Sequence, residues 1–85
     1  MTLTPPNAPF PYLYCEILWV DAQSHAEWVS LDTEDFTPAR CVTRGWVVHE
    51  DALAITLAAT LSEHEHTASE VITIPLGCIL TRTPL

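Results

Sequence analysis

Eighty-five residues make one small domain with one core, and leave no room for a two-domain cleft or a dinucleotide fold. With 48% hydrophobic residues, three Trp, two Tyr and two Phe, the chain carries enough apolar mass to fold, and no apolar run is long enough to span a bilayer. Eleven acids against three arginines (Arg40, Arg44, Arg82) give a net charge of −8, which makes duplex DNA or RNA a poor partner and, with no lysine, excludes Schiff-base chemistry and a Walker-A phosphate site.

Residues 1–11 hold Pro5, Pro6, Pro9 and Pro11. Prolines at that density break helix and central strand, so the segment reads as an extended arm, loose or lying on a neighbouring subunit. It has no basic n-region and no apolar h-region, unlike a signal peptide. Residues 12–85 read as a single domain.

Tyr12–Val20 (YLYCEILWV) lacks Gly and Pro and is rich in aromatic and β-branched residues, the composition of a strand. Alternation places Cys15, Ile17 and Trp19 on one face and Tyr14, Glu16 and Leu18 on the other. Asp21–Ser24 ends it with turn-forming side chains. HAEWVSL (25–31) reads as a short strand rather than a helical turn, and Asp32, Glu34 and Asp35 then mark a solvated loop.

Arg40–Glu50 and Leu53–Leu61 form a hairpin joined at His49–Ala52. Alanines in the second run suggest a helix, but Val47, Val48, Ile55 and Thr56 favour sheet. Gly45 in mid-strand predicts a bulge or strong bend. The polar stretch 62–70 (SEHEHTASE) closes a second hairpin onto Val71–Ile74. Pro75 stops that strand, Leu76-Gly77 makes a turn, and Cys78–Leu80 begins a last strand that Pro84 terminates. Five short strands in about 70 residues, a glycine bend and the strand–Pro–turn–strand ending predict an all-β fold, a small five-stranded barrel of SH3-like or Sm-like type.

Three cysteines (Cys15, Cys41, Cys78), all within apolar runs, fit free thiols in a reducing compartment better than a disulfide framework. The expected location is cytoplasmic. Cys41 beside Arg40 and Arg44 would have an activated thiolate if exposed, and would be inert if buried.

The order Trp19-x-Asp21-Ala22-x-Ser24, Trp28, Cys41-x-Thr43-x-Gly45-Trp46-Val47-Val48-x-Glu50-Asp51, Leu57-Ala58 and Ile74-Pro75-x-Gly77-Cys78-Ile79 resembles a group of small bacteriophage and prophage accessory proteins. The resemblance covers roughly residues 12–80. It implies an intracellular, phage-encoded, non-structural protein in the cytoplasm of the infected bacterium, and supplies no activity. The arm and the 62–70 stretch lie outside the pattern.

Three clusters carry residue types capable of chemistry. In an extended segment His64 and His66 would point the same way toward one divalent metal, but a third ligand among Glu63, Glu70 and His49 is not fixed by spacing, so both remain weak candidates beside a solvated acidic loop. Asp21, Ser24 and His25 are the residue types of a hydrolase triad, yet adjacent Ser24 and His25 diverge on a strand and no nucleophile elbow precedes the serine, so a turn is the simpler reading. Arg40 and Arg44, on one strand face about 13 Å apart, would form a small anion pocket with Trp46 or Trp28 as a stacking platform, unless they pair with the surplus carboxylates.

The chain is therefore expected to bind rather than catalyse, without a cofactor, and as a homo-oligomer. The first expectation is sequestration of a small nucleotide-derived anion, a host defence signal, by Arg40, Arg44, Trp46 and Trp28. The alternative is an acidic inhibitor that blocks a basic site on a host protein.

Overall fold

A computed structural model of the chain describes residues 11–62 and 64–85, so the expected arm lies, apart from Pro11, outside the described residues. Five strands follow one another: β1 (Tyr14–Asp21), β2 (Ala39–Glu50), β3 (Ala54–Ser62), β4 (Thr67–Pro75) and β5 (Ile79–Pro84), with one 3₁₀ turn, Leu76–Cys78, between the last two. The molecule is all-β. Among the described residues no helix is long and apolar enough to cross a membrane.

All pairings are antiparallel and the sheet order is β4-β3-β2-β1-β5. Among the described residues β4 and β5 are open edges, so the hydrogen-bonded closure expected of a barrel is not formed. The sheet nevertheless rolls. Laid flat, five strands would hold their edges roughly 19 Å apart. Pro75 on one edge and Ile79 on the other are joined by a single 3₁₀ turn, which at about 2 Å per residue reaches much less far. The rolled concave face packs Cys15, Ile17 and Trp19 of β1 against Ile55 and Leu57 of β3 and Ile74 of β4, with Cys41, Val47, Ile72, Cys78 and Ile79 around them. The Trp19 indole Nε1–H donates to Thr43 Oγ1 at 3.0 Å, so its polar edge is satisfied where the ring is buried.

β2 makes the roll. Ala39–Trp46 pairs with β1, and Trp46–Glu50 pairs with β3. Gly45 stands just before this change of partner, where an added Cβ would lie 2.9 Å from the Ala58 carbonyl oxygen and 3.1 Å from Leu57 Cβ. The glycine permits close approach of β3. The register shift predicted there sits instead between Val47 and His49.

Two further expectations are corrected. Residues 25–31 form no strand: Asp21 pairs directly with Ala39, and 22–38 is the hairpin loop between them. The 62–70 stretch is mostly strand: Ser62↔Thr67, Leu61↔Ala68 and Thr60↔Ser69 continue the β3–β4 ribbon around a turn at 64–66. The side chains of 67–70 face solvent on a two-stranded extension, where backbone pairing rather than burial fixes the conformation.

Candidate functional site

The sequence-predicted residues divide between two places. Alternation along β2 sets Arg40, Val42, Arg44 and Trp46 in one row on the convex face, opposite Val20, Leu18, Glu16 and Tyr14 of β1. Arg44 Nε donates to Glu16 Oε2 at 2.8 Å, a cross-strand ion pair. The Trp46 ring lies tilted on Tyr14, centroids 4.7 Å apart. Arg40 has no carboxylate within ion-pair distance among the described residues. The row therefore holds one arginine neutralised by its neighbour and one aromatic resting on another, and Trp28 stands outside it, in the loop.

The third arginine lies on the concave side. Arg82 of β5 is opposite Ile17, and Glu50 of β2 is opposite Ile55. Arg82 Nη1 donates to Glu50 Oε2 at 2.6 Å, across the open end of the core. This contact holds the Arg82 guanidinium above its ordinary range. Burial pushes the nearby Cys15 thiol up, with Arg82 pulling the other way. Sequence reading left this pair unnoticed, since it exists only once the sheet rolls.

The remaining candidates are engaged structurally. Asp21 Oδ1 accepts the N–H of the adjacent Ala22 at 2.8 Å, and the turn expected at 21–24 is not formed. His25 turns to Glu34 (Nδ1–Oε1 3.6 Å) and meets the Phe36 ring edge-on at 5.9 Å. Cys41 faces the core, opposite in sense to Arg40 and Arg44, and is half-buried. All three cysteines are free thiols. His64 and His66 lie in a turn rather than an extended segment, so their two-residue spacing no longer aligns them. His66 adopts φ 56° and its Nε2 lies 3.2 Å from the Tyr12 hydroxyl, beside a cleft of about 180 Å³ lined also by Val48, Leu61 and Ala68. Among the described residues no three His, Cys, Asp or Glu side chains gather as a metal site.

Among the described residues the two most exposed large apolar side chains belong to the 22–38 loop. Trp28 is fully exposed (102%), Leu31 is 84% exposed and Phe36 53%. Sequence reading placed Trp28 at a site but passed over Leu31 and Phe36; the available signal was large apolar residues among Glu27, Asp32, Glu34 and Asp35 in a stretch without Lys or Arg. No protein-family model, curated protein or solved structure matches the chain.

Proposed function

We propose that this chain is a non-enzymatic accessory binding protein, of the kind encoded by bacteriophages, whose acidic surface docks on a basic site of a host protein. The fate of the arginines carries the reading. Arg44 is paired with Glu16 and Arg82 with Glu50, so the outward field of a −8 chain is almost wholly negative. Such a field resembles that of nucleic acid and steers encounter with basic surfaces. The strand order and the single 3₁₀ turn before β5 support a partly rolled version of the SH3-like or Sm-like barrel, a scaffold that holds such a surface rigid.

The test is capture from host lysate at low salt, identification of the retained protein and reconstitution with that protein purified. Affinity is expected to fall steeply with ionic strength and to compete with nucleic acid for the same site. Salt-independent binding, or no retained protein at low salt, rejects the reading.

A second reading, sequestration of a small nucleotide-derived anion by a homo-oligomer, draws on Arg40, which lacks a carboxylate partner among the described residues, and on the two open sheet edges. Native mass spectrometry of protein from infected cells separates the two, since it reports subunit number and retained ligand together.

A further inference from the structure

We propose that the 22–38 loop is the docking element, and that Trp28 anchors it on a partner surface presenting Arg or Lys side chains around apolar ones. This rests on the protein-docking reading and deepens it.

The loop inserts 17 residues between Asp21 and Ala39, which are directly paired, so both its ends are fixed at one point of the sheet. A loop of this length without strand or helix is uncommon unless it has work to do. It is also internally held. Glu34 N–H donates to Ser30 O at 3.1 Å, closing one turn, and Asp35 Oδ1 accepts both the Thr37 N–H (2.9 Å) and its hydroxyl (2.5 Å). The His25 contacts to Glu34 and Phe36 tie the outgoing and returning arms together. What remains at the tip is Ala26–Leu31.

The Trp28 side chain there spends nothing on the fold. A Trp with its whole surface in water forgoes the roughly 1.5–3 kcal/mol that burial of a large apolar side chain brings. Rigid aromatic side chains displayed this way lose little entropy on binding and dominate interface energetics. The chemistry beside Trp28 chooses the occupant. Ala26, Glu27, Trp28, Val29 and Leu31 line one open concavity of about 460 Å³, so an exposed indole and a carboxylate belong to the same surface. A guanidinium or ammonium stacks on the one and pairs with the other, while neighbouring apolar side chains meet Val29 and Leu31. Asp32, Glu34 and Asp35 follow, and the loop holds no cation to repel such a partner.

The probes are a labelled amphipathic peptide of Leu and Arg and its counterpart with every Leu replaced by Ser, with binding read by fluorescence anisotropy. The wild-type chain is expected to bind the Leu/Arg peptide at least tenfold more tightly than the Ser version. Trp28→Ala should lose tenfold or more, Glu27→Gln a few-fold, and Leu53→Ala, an exposed apolar change outside the loop, nothing, all with unchanged thermal unfolding. Equal binding by wild type and Trp28→Ala overturns the loop as docking element and leaves the docking reading standing. Failure of the wild type to bind either peptide overturns both. A dimer in sedimentation that Trp28→Ala dissociates would show the occupant to be a second copy and overturn the basic-partner assignment.

Discussion

Gly45 and Glu70 show backbone demands acting at single positions. Gly45→Ala drives a methyl group against the Ala58 carbonyl, which β-strand pairing holds in place, so overpacking is expected to cost about 1–3 kcal/mol in chemical denaturation. Glu70 lies in β4 with φ 52°, a left-handed conformation for a side chain that disfavours it. Glu70→Gly relieves that strain at some entropic cost, for a net gain of about 0.5–1 kcal/mol, whereas Glu70→Val should destabilise. Loss of stability in the glycine variant would show that the side chain is needed where it stands. The special character of Gly45 was legible in the sequence, although its cause was not: a bend and a close approach look alike until the neighbouring strand is placed. Glu70 carried no signal at all, because its torsion comes from the β3–β4 ribbon.

Among the elements, the hairpins and the short turns at 49–52 and 76–77 were legible, and the long 22–38 loop was not. β1, β2 and β3 begin and end within two residues of the boundaries read from composition, since alternating apolar residues and a buried face specify them. The 25–31 stretch misled because Trp and Val favour strand wherever they occur, while a strand also needs a pairing partner, and 25–31 pairs with none. The β2–β3 turn rests on Asp51, whose Oδ1 accepts the N–H groups of Leu53 (2.8 Å) and Ala54 (2.9 Å), with His49 at 3.3 Å from Oδ2. The two backbone donors, with His49 adding less, hold this carboxyl below its ordinary value near 3.8. A lowered native pKa contributes stability that is fully present above the ordinary value and is lost as pH falls through the depressed one. Asp51→Ala is therefore expected to lower the melting temperature at neutral pH, and the two melting curves should converge in acid. A gap that persists at the lowest pH would assign the effect to packing.

For the whole molecule, the all-β class follows from five patterned segments, whereas the roll depends on contacts between residues far apart in sequence. The anion pocket expected from Arg40, Arg44, Trp46 and Trp28 shows the limit: alternation set Arg40 and Arg44 on one face, but Glu16, which takes Arg44, became a neighbour only through register. The rolled core makes a separate forecast for thiol chemistry. Half-buried Cys41 and Cys78 should be alkylated in the native protein, and Cys15 only after unfolding, since its thiol is both enclosed and raised. Early modification of Cys15, followed by mass spectrometry, would mean that the core opens at the Arg82–Glu50 end.

Because Asp21 and Ala39 clasp each other at the root of the long loop, the strand pairing is complete without what is strung between them. An Asn-Gly link in its place would complete the same hairpin. A chain shortened in this way is expected to keep the fold, which thermal unfolding of the shortened protein would check.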